Sequence, residues 1–86
     1  MLTGVQIRSA RAALGWSANR LAELSGVSLR TLMRLEQSHG VPPSRASTLL
    51  EIQRTFEAAG IEFIGTSDDG PGIRARFSSN SERQGL

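Results

Sequence analysis

Apolar residues recur along the first sixty positions at the three-and-four spacing of short amphipathic helices, then give way to strict alternation. Thr3 followed by Gln6 has the form of a capping box. Ile7, Ala10 and Leu14 repeat behind it as far as Gly15, which predicts a first helix over residues 4–14. Ser17 stands where it can cap a second helix carrying Leu21, Ala22 and Leu24 and ended by Gly26. Ser28 stands where it can cap a third carrying Leu32 and Leu35. Pro42 and Pro43 interrupt the pattern and Ser44 offers another cap. Ala46, Leu49, Leu50, Gln53, Phe56 and Glu57 then trace a longer helix to Gly60, with Ala46, Leu49, Leu50 and Phe56 expected to face the core.

Beyond Gly60 the texture changes. Ile61-Glu62-Phe63-Ile64, a turn-rich stretch from Gly65 to Gly72, and the alternating Ile73-Arg74-Ala75-Arg76-Phe77 predict a β-hairpin, with Gly70-Pro71-Gly72 as turn chemistry. The stretch from Ser78 to Leu86 is polar and aperiodic and is expected to be a flexible tail. The fold class expected is therefore mainly α: four to five helices over residues 1–60, a C-terminal β-hairpin over 61–77, and a tail over 78–86.

Composition narrows the chemistry. Eighty-six residues suffice for one small domain with little room for an enclosed active site. With no cysteine and a single histidine, there is neither a disulfide framework nor a thiolate cluster, and His39 alone cannot form a histidine metal site. No carboxylate pair stands in an apolar setting, no Gly-rich loop joins a strand to a helix, and His39 lacks a nucleophile motif. Neither enzyme activity nor a cofactor or metal is expected. No apolar run approaches the length of a membrane span and no leader pattern is present, so the expectation is a cytoplasmic protein with no membrane partner. The net charge is only +2, but its distribution is uneven. Residues 1–45 hold six arginines against Glu23 and Glu36, whereas residues 46–86 hold four against six acids, so the N-terminal half is the candidate polyanion-facing half.

Two short helices joined by a tight Gly-containing turn are the sequence form of a DNA-binding helix-turn-helix, here Ala18-Asn19-Arg20-Leu21-Ala22-Glu23-Leu24-Ser25-Gly26-Val27-Ser28-Leu29-Arg30-Thr31-Leu32-Met33-Arg34-Leu35-Glu36-Gln37. With Leu32 and Leu35 pointing inward, the opposite face of the third helix presents Arg30, Met33, Arg34 and Gln37, with Leu29 near its start. These five are the candidate base contacts. Arg30 and Arg34 can each fork onto guanine O6 and N7, while Leu29 and Met33 can meet thymine methyls. Ser17, Asn19 and Arg20, then Ser28 and Thr31, then Ser38, His39 and Arg45 are the candidate phosphate contacts.

The same stretch resembles the Cro and phage-repressor class of helix-turn-helix regulators, through Leu21-Ala22, Gly26-Val27-Ser28 and Leu35-Glu36. The resemblance covers about residues 4–60. It extends over 58–77 through an Ala-Ala-Gly-Ile-Glu-Phe segment and a Gly-Pro-Gly turn before an Arg-rich strand. It implies a sequence-specific regulator that binds double-stranded DNA, most simply a homodimeric repressor reading the major groove with helix 28–37. It also implies a structural salt bridge between Arg11 and Glu36. The family usually places Gln at the position of Ala18, and this chain departs from it there. Arg8 is open between solvent and phosphate.

A single recognition helix reads few base pairs, so two half-sites about 34 Å apart call for a dimer. Phe56, Ile61, Phe63, Ile64, Ile73 and Phe77 are the candidate interface; the alternative is that the hairpin only closes the core of one subunit. Arg74 and Arg76 are expected to pair with Glu62 rather than touch DNA, because Asp68 and Asp69 would repel phosphate. A second functional reading keeps the fold but turns it on a regulatory protein partner, as an antitoxin or anti-activator would. The missing Gln and the apolar Leu29 and Met33 keep that reading open.

Overall fold

The computed structural model describes residues 2–66 and 68–76; Phe77 and the stretch read as a flexible tail lie outside the described residues. Four helices, α1 (Gly4–Leu14), α2 (Ala18–Ser25), α3 (Leu29–Glu36) and α4 (Ala46–Ala58), are followed by an antiparallel pair, β1 (Ile61–Ile64) and β2 (Gly72–Ala75). The architecture is mainly helical with one two-stranded hairpin.

The first three helices begin where their caps stand. Thr3 Oγ1 accepts from Gln6 N at 3.1 Å while Gln6 Oε1 accepts from Thr3 N at 3.0 Å, a reciprocal box that satisfies two donors at the start of α1. Ser17 Oγ accepts from Arg20 N at 3.0 Å and Ser28 Oγ from Thr31 N at 3.2 Å. The fourth start differs from expectation. Arg45, not Ser44, is the N-cap residue of α4, and no side chain caps it. The second strand also starts one residue earlier than the alternation implied, at Gly72.

One core joins the four helices and β1, with Ile73 of β2 packed against it. Ile7 and Ala10 of α1, Leu21 of α2, Leu32 and Leu35 of α3, Leu49, Ile52 and Phe56 of α4, and Ile61 of β1 are buried together with Leu2. Each large aliphatic or aromatic side chain among them stabilises by about 1.5–3 kcal/mol through lost water contact. Trp16, between α1 and α2, stacks on Phe56 at 5.7 Å, and Phe56 meets Phe63 of β1 edge-on at 5.9 Å. This aromatic row ties the hairpin to the helices.

The inward stripe of α4 corrects the sequence reading. At 3.6 residues per turn, Leu49, Ile52 and Phe56 fall within about 60° of one another, while Ala46 and Leu50 lie on the same outer flank. Ile52 is fully buried, whereas Leu50 is 41 % exposed and Ala46 is exposed. The apolar run Leu49-Leu50 and Ile52 gives α4 apolar residues on both flanks, and packing against α2 and β1 selects one of them.

Close approach sets the relation between α1 and α3. A Cβ on Gly4 would run into the carbonyl oxygens of Leu35 and Ser38, so the first turn of α1 lies directly against the end of α3. Gly4 N donates to Gly40 O at 3.2 Å, which ties the following loop to the same point. The N-terminal end of one helix dipole thereby faces the carbonyl end of the other.

Candidate nucleic-acid interface

The segment joining α2 to α3 is Gly26-Val27-Ser28. Gly26 takes the left-handed conformation (φ 74°) and its N–H donates to Ala22 O at 3.0 Å; Val27 N donates to Ser25 Oγ at 3.2 Å. A side chain at position 26 would have to adopt a backbone that L-residues disfavour, so the tight turn calls for glycine. With Leu21, Leu32 and Leu35 buried, α3 is held with one face inward.

Its other face is open. Arg30, Met33, Arg34 and Gln37 are all exposed, Met33 to 54 %, and Leu29 is half-buried at the edge. Beside them Arg8, Arg11, Ala18, Met33, Glu36 and Gln37 line a concavity of about 310 Å³, so the first turn of α2 and two turns of α1 border the same surface. Ala18 presents a methyl group there, where the sequence resemblance would place an amide.

Beneath this surface Arg11 clamps α1 to α3. Its Nε donates to Glu36 Oε2 at 3.0 Å and its Nη2 to Glu36 Oε1 at 2.9 Å, a bidentate pair, while Nη1 donates to Trp16 O at 3.0 Å. The Glu36 side chain keeps only 10 % of its surface in water and that of Arg11 28 %. The hydrogen bond to Glu36 holds the Arg11 guanidinium above its ordinary, already high, pKa despite partial burial.

The candidate phosphate contacts divide by what already occupies them. Asn19, Arg20, His39 and Arg45 are exposed. The Ser17 hydroxyl is a helix cap. Ser28 Oγ donates to Thr31 Oγ1 at 2.9 Å while accepting from Thr31 N, and Ser38 Oγ donates to Gly40 O at 3.1 Å, so both hydroxyl protons are committed inside the chain. Arg34 is also engaged, because its Nη1 donates to Pro43 O at 2.8 Å.

Charge pairing separates the two halves. Among the described residues, Arg74 and Arg76 share Glu62 (3.3 and 2.7 Å) and Arg54 faces Glu51; in the N-terminal half Arg11 pairs with Glu36 and Arg20 faces Glu23 at 3.9 Å, whereas Arg8, Arg30, Arg34 and Arg45 form no salt bridge. Glu62 stands directly opposite Arg74 in the hairpin register. The hydrogen bond from Arg76, reinforced by both charges, lowers the Glu62 pKa from its ordinary value. The unneutralised cations therefore lie on α1, α3 and the start of α4.

The hairpin residues assigned to a second subunit need revision. Phe56 and Ile61 are fully buried in the core of their own chain and offer no surface, because the hairpin closes over α4 and α1. Phe63, Ile64 and Ile73 remain half-buried, and Phe77 lies outside the described residues. Among the described residues no group of three or more histidine, aspartate or glutamate side chains is placed to hold a metal ion, and no helix is long and apolar enough to cross a membrane.

Sequence reasoning did not reach the contact of Gly4 with α3, the reach of Gln6 to the hairpin, or the bond from Arg34 to Pro43. Each joins residues whose proximity is created by the fold, so spacing along the chain carries no trace of it. No protein-family model matches the chain, and no curated protein aligns significantly with it.

Proposed function

We propose that this protein is a sequence-specific, double-stranded DNA-binding regulator in which α2 and α3 act as a helix-turn-helix and α3 enters the major groove. The observation that carries the reading is the outward face of α3. Arg30, Met33 and Gln37 project from a helix whose other side is locked by Leu32, Leu35 and the Arg11–Glu36 pair. Arg30 is suited to fork onto guanine, Gln37 to accept from and donate to a neighbouring base or phosphate, and Met33 and Leu29 to pack on thymine methyls. Arg8 and Arg45 supply the surrounding positive field, and Asn19, Arg20 and His39 are placed for backbone contacts.

Two copies, associated through Phe63, Ile64 and Ile73 at the hairpin, would read two half-sites one duplex turn apart. Repression by covering a promoter is the simplest action for such a pair in the cytoplasm. Selection from a random duplex pool tests this. The wild type should enrich a pseudo-palindromic, G·C-containing site, and Arg30→Ala should fold normally yet lose that enrichment. Recovery of no site by folded wild-type protein would reject the reading.

Met33 favours one alternative, a protein-binding module on the same scaffold, because a half-exposed methionine at the centre of the face suits an apolar partner. Salt separates the two. DNA affinity falls steeply with ionic strength, whereas an apolar contact responds to Met33→Ala and is nearly indifferent to salt.

A further inference from the structure

The loop between α3 and α4 is hard to hold in place. Pro42 and Pro43 have no N–H, so two successive residues can be tied down only through their carbonyls or by burying their rings. Pro42 is buried. Around it the chain is pinned at two acceptors, Gly40 O, which accepts from Gly4 N at 3.2 Å, and Pro43 O, which accepts from Arg34 Nη1 at 2.8 Å. Only the second lies on the side of α4, two residues before its N-cap. That N-cap is Arg45, whose side chain makes no capping bond and is exposed.

We propose that Arg34 is a positioning residue: its guanidinium fixes the end of the loop that carries Arg45 to the duplex backbone, and it does not read a base. The inference rests on the DNA-binding reading. The side chain of Arg30, one turn earlier on the same face, is exposed and forms no salt bridge among the described residues, which keeps its full fork for a base edge. A helix face with two exposed arginines thus divides its work, one arginine recognising sequence and the other setting how strongly any sequence is held. The side chain of Arg34 is long enough to span from helix to loop, and its charge strengthens the bond to a neutral carbonyl.

The test compares wild type, Arg34→Ala, Arg45→Ala and the double variant on the selected duplex, on its single base-pair variants and on a scrambled duplex, at two salt concentrations. Arg34→Ala should weaken selected and scrambled duplexes alike, by about ten-fold, and leave the ranking of base-pair variants unchanged. In the Arg45→Ala background the same change should cost less than about two-fold, because the contact it positions is already gone. In the free protein, amide resonances of Val41, Ser44 and Arg45 should move in Arg34→Ala while those of α1 and α2 stay, which also shows that the variant folds. Relaxed preference at a single base pair, losses that multiply in the double variant, or unmoved loop resonances would each overturn the assignment alone. Failure of wild type to bind any duplex overturns the DNA-binding reading with it.

Discussion

The side-chain amide of Gln6 donates to the carbonyl oxygen of Gly72 at 3.0 Å, across 66 positions of the chain. The same nitrogen donates to Ile64 O at 3.2 Å, the residue paired with Gly72 in the hairpin, while the amide oxygen completes the cap of α1. One side chain thus uses both donors and its acceptor to join the start of the first helix to the turn end of the sheet. Gln6→Glu keeps the cap acceptor but turns a carboxylate oxygen toward two carbonyls. At pH 7 it should cost about 2–3 kcal/mol in urea unfolding, more than an ordinary lost hydrogen bond. The gap from wild type should narrow on acidification, as the carboxyl regains a donor. An equal gap at both pH values would contradict this account.

The clamp between Arg11 and Glu36 should be asymmetric. Removing Arg11 strands a carboxylate that is 90 % out of water and also frees Trp16 O, whereas removing Glu36 leaves a guanidinium that still reaches solvent. Arg11→Ala should therefore cost about 3 kcal/mol, the low end for a buried pair, and Glu36→Ala distinctly less. Denaturant midpoints of the two variants measured side by side decide the order.

Gly4 and Gly40 sit at the two ends of one hydrogen bond yet should respond in opposite ways. Gly4→Ala forces a methyl group into the carbonyls of Leu35 and Ser38 and should destabilise by about 3 kcal/mol. A Cβ on Gly40 meets nothing within 4 Å, and Gly40→Ala should stay within about 0.5 kcal/mol of wild type. Thermal melts of the pair check this directly.

On α4, Ile52→Ala should cost about 2–4 kcal/mol and Leu50→Ala less than about 1 kcal/mol, although the two residues are near neighbours of similar size. A larger loss at Leu50 than at Ile52 would place the core on the other flank of the helix.

The Glu62 carboxyl is held below its ordinary pKa by Arg76 and Arg74, so its contribution to hairpin stability is present above the unfolded-state value near 4.5 and lost as pH falls through the lower folded one. Glu62→Gln should lose that acid limb. Hairpin amide exchange followed from pH 6 to pH 3 should change more in wild type than in the variant. The site is exposed, so the effect should shrink with added salt.

Where the sequence was readable, the cause was local. Thr3 with Gln6, Ser17 and Ser28 each cap the helix that starts beside them, and Gly15 and Gly26 take the left-handed turn that ends one. The open face of α3 follows from Leu32 and Leu35 alone, because two inward residues three apart fix the direction of the others. The face of α4 did not follow, since Leu49, Leu50 and Ile52 leave three-residue spacing ambiguous. Ser44 has the chemistry of a cap, but the helix starts after Arg45. Phe56 and Ile61 have the apolar chemistry of an interface, but the hairpin folds over its own helices and buries both.

The row Trp16, Phe56 and Phe63 gives the chain its own optical probe. Trp16 is the sole tryptophan and there is no tyrosine, so near-ultraviolet excitation reports almost entirely on the place where the α1–α2 junction, α4 and β1 meet. Its indole stacks on the ring that the hairpin also touches, and the emission spectrum should shift when the hairpin undocks. None of the aromatic residues lies on α3, so titrating a nucleic acid onto that helix should leave the signal quiet unless the whole body responds.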